Sequence, residues 1–498
     1  MIGKVVALAA TAASLAVADP ATQRWWDLTT QLSSDAMQGR DTGSPGYERA
    51  ARLVASRFAA AGLKPLGDAG TWQQSVPMEQ VSITAATITV DGRRLTFLHD
   101  IMTNPAPGMA PSLNAPLTYR GYCGADTMDG IAGKIVICHG TRRTGLPGDA
   151  DRLAAAKAGH AAGMITIADP GFSVEPPRWP FAYARSVWIA GSPPPVDPLP
   201  RFTLNADALG TLIAGSGRDA AALIATGSSG APLPRFDVPG HFAARFTLAT
   251  RTLRSPNVIG LLPGTDPSLA DQAIVLSAHL DGYGPGEPVA GDGLYNGTLD
   301  DAAYVALLVR LAETRHGRGF RRPVIFAAFT GEEKGLLGAR WFVAHPTVPL
   351  SRIAADINLD QLRPIFPLDL LTVHALDDTS LGDDVRTVTA SMGIAVQRDP
   401  EPERNLLRRA DQWPFMQAGV PATAFVFGYR PGSESERIYR RWYKTGYHRP
   451  QDDPHQPIDW KAAADFNRFF FALVARVADQ DAVPAWKTGS SLRPPARP

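Results

Sequence analysis

The sequence has no marked excess of charge of either sign. Its 498 residues contain 49 Lys and Arg against 48 Asp and Glu, which leaves a formal net charge of +1. Proteins that bind nucleic acid carry a clear basic surplus or a basic stripe. We therefore predict that nucleic acid is not a partner of this protein.

Cysteine and long apolar runs are also scarce. The chain has 2 cysteines, Cys123 and Cys138. No histidine-bearing loop with an obvious role as a base accompanies either one, so we do not expect a cysteine nucleophile. Both cysteines flank predicted strands of one region, so they either form a disulfide or remain buried thiols.

Beyond the N-terminus, no segment has the roughly 18 apolar residues that a membrane span requires. We expect no span in the mature chain.

The first residues have the pattern of an export signal. Lys4 precedes the mostly apolar stretch Val5–Val17, and Ala16-Val-Ala18 places small residues where a signal peptidase reads the chain. This apolar stretch is short and rich in Ala and Thr, which argues against a membrane anchor. The pattern predicts a signal peptide over residues 1–18 and a secreted or periplasmic mature protein.

Five short segments each end in candidate metal ligands. The candidates are His279, Asp300 or Asp301, Glu332 or Glu333, Asp360 and His448. Three of the segments follow apolar runs that predict buried parallel strands, namely Ala273–Leu276, Val324–Phe329 and Ala354–Ile357. Open α/β sheets build their sites at the carboxyl ends of such strands. Two histidines and several carboxylates at one such edge indicate a site for two zinc-like ions.

The spacing alone leaves two choices open among these residues. A two-ion site needs a shared carboxylate, and either Asp300 or Asp301 can supply it. Of Glu332 and Glu333, which leave a strand consecutively, one can bind a metal ion while the other faces the attacking water as general base. Asp281 follows His279 by two residues, so we expect its carboxylate to accept the second ring N–H of His279.

The pattern of elements predicts a split α/β domain with an insertion. Apolar spacing predicts a helix over Pro45–Ala61, and Asp91-Gly92 predicts a hairpin turn. From Ser255 onward, apolar strands alternate with helical stretches, which is typical of a doubly wound, mostly parallel sheet flanked by helices. The predicted ranges are 19–107 and 229–487 for this domain, 108–228 for an inserted α/β module with a βαβ unit, and 488–498 for a disordered tail.

At this point the sequence resembles a known family. His279-Leu-Asp281, the segment from Asn296 to Asp301, Gly331-Glu-Glu-x-Gly335, Asn358-Leu-Asp360 and Tyr447-His448-x-Pro450-x-Asp452 are similar to the metal-site motifs of the bacterial leucyl aminopeptidase-like, co-catalytic zinc metallopeptidases. The similarity extends to the segments from Leu32 to Arg40 and from Arg409 to Trp413, so it covers most of the mature chain. The insertion at 108–228 is similar to a protease-associated domain.

The resemblance implies a zinc exopeptidase-like fold, two Zn²⁺ ions, peptide substrates and a role for each residue. Asp300 would bridge the ions, His279 and Asp360 would complete one site, and Glu333 and His448 would complete the other. Glu332 would be the general base, and Asp281 the acidic partner of His279.

Two departures from the family pattern bear on the pocket. Tyr304 stands where the family usually has Gly, and Gln412 stands where it often has His. Neither removes a ligand, but we expect both to reshape the pocket.

The sequence favours an exported zinc aminopeptidase. The alternatives are a carboxypeptidase or dipeptidase, a glutaminyl-cyclase-like transferase with one zinc ion, and a receptor-like binding protein without activity.

Overall fold

The structure is a computed structural model that describes residues 18–171, 178–194, 199–360 and 362–495. Of the predicted signal peptide, residues 1–17 lie outside the described part of the chain, and Ala18 lies within it. Cleavage after Ala18 therefore stays a prediction. Among the described residues, no helix combines the length and the apolar character needed to cross a membrane.

Helices and strands alternate through much of the chain. The α-helices of the described residues are α1 (Pro20–Leu32), α2 (Pro45–Ala60), α3 (Asp149–Ala158), α4 (Leu209–Leu212), α5 (Ala220–Ser229), α6 (Ala303–Arg315), α7 (Leu337–Ala344), α8 (Leu381–Ser391), α9 (Gln412–Gln417), α10 (Glu434–Thr445) and α11 (Trp460–Asp479). The strands are β1 (Lys64–Pro65), β2 (Gln73–Val90), β3 (Arg93–Leu95), β4 (Ile101–Met102), β5 (Ser112–Tyr119), β6 (Ile135–His139), β7 (Gly163–Ile167), β8 (Arg185–Ile189), β9 (Arg201–Leu204), β10 (Phe236–Leu262), β11 (Ala273–His279), β12 (Gly284–Val289), β13 (Asp292–Tyr295), β14 (Val324–Phe329), β15 (Ile353–Asn358), β16 (Leu370–His374), β17 (Ala395–Gln397) and β18 (Ala422–Phe427).

One half of the molecule is built on a mixed, mostly parallel sheet. Its strands lie in the order β17-β16-β18-β15-β11-β14-β10. The strands β14, β11, β15 and β18 pair in parallel, while β10 and β16 run antiparallel to their neighbours β14 and β18. The three predicted strands are β11, β14 and β15. The predicted α/β class with a mixed, mostly parallel sheet is confirmed.

Helices cover both faces of this sheet because the central strands are apolar on both sides. In β11, Leu276 points into a core shared with α1, α2, α6 and α11, whereas its neighbour Val275 points into a core shared with α7 and α9. Successive residues of a strand point to opposite faces, so a strand buried on both faces must be apolar throughout. This explains why the continuous apolar runs predicted the strands correctly.

A second module lies on the same sheet beyond the long strands β2 and β10. These two strands pair antiparallel along their length. Gln73 of β2 lies opposite Val258 of β10 at one end, and Val90 lies opposite Phe242 at the other. The strands β5, β6, β7 and β9 then continue in parallel, and α3 connects β6 to β7 as the predicted βαβ unit. The hairpin predicted at Asp91-Gly92 joins β2 to β3.

The second module has its own core, and this core begins earlier than the sequence predicted. It includes Ile88, Leu95 and Ile101, which lie in the range predicted for the peptidase domain, together with Ile137 and Phe242. The module therefore begins within β2 rather than at residue 108, and it ends within β10. Because one strand runs without a break from one core into the other, a change of composition along the sequence cannot reveal the boundary between them. The identity of this module as a protease-associated domain stays a prediction.

Cys123 and Cys138 form a disulfide inside the second module. Both side chains are fully buried against Val136 and Met164. Of the two alternatives that the sequence left open, the structure has the disulfide. Such a cross-link closes a short loop and is typical of proteins from oxidising compartments.

The C-terminal segment packs against the sheet further than predicted. The hydroxyl of Ser490 donates to a carboxylate oxygen of Asp378 at 2.7 Å, and Leu492 packs against the core that contains Val275. The prediction of a disordered tail from residue 488 is therefore wrong for residues 488–492.

Candidate metal centre

Three parallel strands deliver side chains to one edge of the sheet. His279 is the last residue of β11, Glu332 and Glu333 lie three and four residues after the end of β14, and Asp360 lies two residues after the end of β15. Since the register pairs His279 with Phe329 at the end of β14, these loops leave the sheet side by side. The carboxyl edge of the sheet thus gathers four of the predicted residues.

Two loops bring the remaining residues to this edge. Asp300 lies in the irregular turn Thr298–Ala302 that leads into α6, and His448 follows the end of α10. The carboxylate of Asp452 accepts the backbone N–H groups of Leu299 (2.9 Å) and Asp300 (3.0 Å). These two hydrogen bonds join the turn that carries Asp300 to the segment that carries His448.

The candidate ligands form two triads that share Asp300. One triad is His279, Asp300 and Asp360, and the other is Asp300, Glu333 and His448; in each, the ligand atoms lie within 4.8 Å of one another. Nε2 of His279 is 3.3 Å from Oδ1 of Asp300, and Nε2 of His448 is 3.7 Å from its Oδ2. The two carboxylate oxygens of Asp300 therefore face different histidines.

Asp301, the other candidate for the bridge, belongs to neither triad. Its Oδ2 accepts the backbone N–H of His279 at 3.1 Å. A third group, His279 with Glu332 and Glu333, also has ligand atoms within 4.8 Å of one another. Glu332 therefore lies against the triads without sharing Asp300.

The centre is arranged for cations. Nε2 of His279 and Oδ2 of Asp300 are buried and make no hydrogen bond within the described residues. Burial raises the pKa of Glu332 well above its ordinary value and raises that of Glu333 to about 7. Burying several carboxyl groups together is unfavourable unless protons or cations compensate the charge. Imidazole nitrogen and carboxylate oxygen are zinc ligands, so the residues fit that ion.

Asp281 contacts His279 in a different way from the one predicted. Nδ1 of His279 is 3.1 Å from the backbone carbonyl oxygen of Asp281, whereas the Asp281 carboxylate is 3.8 Å away. That carboxylate accepts the Thr42 hydroxyl (2.9 Å) and the backbone N–H of Glu332 (3.1 Å). The carbonyl fixes the His279 ring, and the carboxylate holds the loop that carries Glu332.

Two buried arginines that the sequence did not single out support the centre. Arg363 lies 3.4 Å from Oδ2 of Asp300 and stacks over the ring of Trp442 at 4.4 Å. Burial favours the neutral form of Asp300, but Arg363 and the two histidines lower its pKa below the ordinary value. Arg40 donates to the carbonyl oxygens of Leu280, Asn296 and Gly297 at 2.7–2.8 Å.

Two tyrosines line the centre, and one of them comes from the second module. The hydroxyl of Tyr283 donates to the Glu333 carboxylate and lies 3.2 Å from Nδ1 of His448. The hydroxyl of Tyr183 lies 3.3 Å from the same nitrogen. Lys334 donates to the carbonyl oxygen of Ala182 at 2.6 Å, which connects the Glu332–Glu333 loop to the second module. The module therefore forms part of the wall of the centre.

The two departures from the family pattern lie away from the cavity at this centre. Tyr304 is buried in α6 and packs edge to face against Phe466. The side chain of Gln412 accepts from Asn358 at 2.9 Å and donates to the Leu407 carbonyl at 2.8 Å. Neither lines the cavity of about 320 Å³ in front of Glu332 and Glu333. They do not form the wall of this cavity, and their effect on the pocket stays a prediction.

A mostly parallel sheet carries two histidines and several buried carboxylates at its carboxyl edge, which is where open α/β sheets build their sites. Residues 257–474 match the model of Peptidase family M28. The predicted resemblance to the zinc aminopeptidase-like metallopeptidases is confirmed by this match.

Known proteins agree with this assignment. A probable zinc metalloprotease from Pyrenophora teres f. teres is 30% identical over 179 residues, which cover 34% of this chain and 38% of that protein. A probable leucine aminopeptidase 2 from Aspergillus oryzae is 25% identical over 261 residues, which cover 48% of each chain. This chain spans less than half the length of these two curated relatives.

A solved structure shares the whole architecture. A zinc aminopeptidase from Bacillus subtilis superimposes with a TM-score of 0.63 at 19% identity, over 92% of this chain and 96% of that one. At this identity the likeness establishes the fold alone. The superposition includes the second module, because it covers nearly all of both chains.

Proposed function

We propose that this protein is an exported di-zinc aminopeptidase that hydrolyses the N-terminal residue from peptides. The observation that carries the proposal is the pair of triads that share Asp300. A single-ion site needs one set of ligands, whereas two sets that share one carboxylate would hold two ions. This favours two zinc ions over the single ion of a glutaminyl-cyclase-like transferase.

Each residue has a role in this proposal. His279 and Asp360 would hold one ion, Glu333 and His448 the other, and Asp300 would bridge them. When bound, the ions would polarise the scissile carbonyl and lower the pKa of the attacking water.

Glu332 acts as the general base. Its side chain lines the cavity together with Glu333, and its backbone N–H is held by the carboxylate of Asp281. Glu332 takes a proton from the attacking water and returns it to the leaving amine. A base must lie within hydrogen-bond reach of the proton that it takes, and the hydrogen bond from its backbone to Asp281 keeps the loop in place for this.

The preference for N-terminal residues is supported by the relatives. One is described as a probable leucine aminopeptidase and another as a zinc aminopeptidase. Export is supported by the segment from Lys4 to Ala18 and by the disulfide between Cys123 and Cys138, which suits a secreted or periplasmic protein.

Chromogenic substrates test this activity. We expect the purified protein to release the chromophore from a leucine anilide with a free amine, and not from the same anilide after N-acetylation. A zinc chelator should abolish the release, and added zinc should restore it. Release of a C-terminal residue from N-blocked peptides would instead identify a carboxypeptidase. Full activity in the presence of the chelator would contradict the metal mechanism.

A further inference from the structure

The cavity in front of the metal centre is lined by cations beyond the centre itself. Its volume is about 320 Å³, and the residues of the centre that line it include Asp300, Glu332, Glu333 and His448. Its lining also includes Arg340, Arg408 and Arg409. Within the described residues, the acidic side chains that line it all belong to the centre.

Arg340 and Arg408 reach the cavity from two different elements. Arg340 lies in the first turn of α7, directly after the Glu332–Glu333 loop, and its Nε donates to the carbonyl oxygen of Gly335 at 3.0 Å. Arg408 lies in the turn Leu406–Arg408 before α9, and its guanidinium stacks over the ring of Trp413 at 5.0 Å. Each side chain is held at one point and keeps other N–H donors available.

Neither of these two arginines has an ion-pair partner in the described part of the chain. Many other arginines of the protein do, for example Arg404 with Glu401 and Arg386 with Asp383. Arg340 and Arg408 are also exposed side chains at the cavity rather than residues of the core. Their charge is therefore available to a ligand.

The charges of the centre do not cancel those of the arginines once the ions are bound. The ligands Asp300, Glu333 and Asp360, together with Glu332, carry four negative charges, which two divalent ions would offset. The remaining charge of the cavity then comes from its arginines. A guanidinium binds a carboxylate through two parallel hydrogen bonds, which gives both affinity and orientation.

We propose that Arg340 and Arg408 make this enzyme selective for peptides that carry a carboxylate close to the scissile bond. The inference rests on the proposed peptidase function and names its substrate class. Two sources offer the same chemistry: the side chain of an Asp or Glu in the first two positions, or the free C-terminal carboxylate of a dipeptide. Arg340 and Arg408 line the same cavity of about 320 Å³ as Glu332 and Glu333, so the carboxylate that they contact belongs to a residue close to the scissile bond.

Three matched pairs of peptides separate these sources. They are Glu-Leu-amide against Gln-Leu-amide, Leu-Glu-amide against Leu-Gln-amide, and Leu-Ala against Leu-Ala-amide. The wild-type protein should cleave the carboxylate member of at least one pair with a kcat/KM about tenfold higher than that of its neutral partner, mainly through KM. The pair that shows this preference identifies the source.

Variants then assign the preference to the arginines. In the double variant R340Q/R408Q, the ratio of kcat/KM within that pair should fall to about one, and each single variant should lower it by a few-fold. The matched control is Arg352→Gln, which removes an exposed arginine just before the amino end of β15. That end lies about 20 Å from the carboxyl edge, because six strand residues separate them, so the ratio should not change.

The outcomes distinguish this inference from the proposed function. Cleavage of the neutral peptides with no preference in any pair would overturn the inference and leave the peptidase function standing. An unchanged ratio in R340Q/R408Q would also overturn it. If none of the six peptides is cleaved, the proposed function itself fails, and the inference fails with it.

Discussion

Replacing Glu332 by glutamine is expected to lower kcat by about 10²–10⁴-fold while the metal content stays close to that of the wild type. The substitution keeps the size of the side chain but removes the group that takes a proton from the attacking water. Glu332 belongs to neither of the two triads that share Asp300, so the ions keep their ligands. Steady-state kinetics and elemental analysis of the same preparation measure the two effects.

The neighbouring substitution Glu333→Gln is the matched control. Glu333 belongs to the triad with Asp300 and His448, so this variant should lose metal from one site as well as activity. If Glu332→Gln lost metal as Glu333→Gln is expected to, or kept near-wild-type turnover, the roles of the two glutamates would have to be exchanged or abandoned.

Replacing Asp300 by asparagine is expected to weaken both metal sites at once. Oδ1 of Asp300 faces His279 and Oδ2 faces His448, so the carboxylate serves both triads. Loss of an outer partner of a ligand already costs about 10–100-fold in metal affinity, and loss of the shared ligand should cost more. We expect activity to fall below detection at stoichiometric zinc, with both dissociation constants raised in a competition assay against a zinc-binding dye.

The adjacent variant Asp301→Asn tests which member of the pair forms the bridge. The Asp301 side chain accepts the backbone N–H of His279, and the side-chain oxygen of asparagine can accept the same hydrogen bond. Zinc binding by this variant should therefore stay within a few-fold of the wild type. Loss of both ions in Asp301→Asn, with little change in Asp300→Asn, would place the bridge on Asp301 instead.

Much of the fold could be predicted because the local signal was strong. Strands such as β11, β14 and β15 are buried on both faces and are therefore continuous apolar runs, and the candidate ligands follow them directly. The choice between Asp300 and Asp301 could not be made from spacing. It depends on the turn Thr298–Ala302, whose backbone is fixed by Asp452 more than 150 residues later in the chain.

The supporting residues were missed for the same physical reason. Arg40 acts on Asn296 and Gly297 across more than 250 residues, and Tyr183 reaches His448 from another module. A single arginine or tyrosine in a sequence carries no periodicity that points to such a partner. The contact of His279 with the carbonyl of Asp281 could not be predicted either, because a His-x-Asp spacing does not distinguish the carboxylate from the backbone carbonyl of the same residue.

The number of zinc ions tests the central claim most directly. Protein stripped of metal and titrated with zinc should regain peptidase activity up to a plateau at two equivalents per chain, and elemental analysis of the reloaded protein should find about two zinc ions. A plateau and a metal content of one equivalent at full activity would contradict the shared role of Asp300 and the two-ion centre built on it.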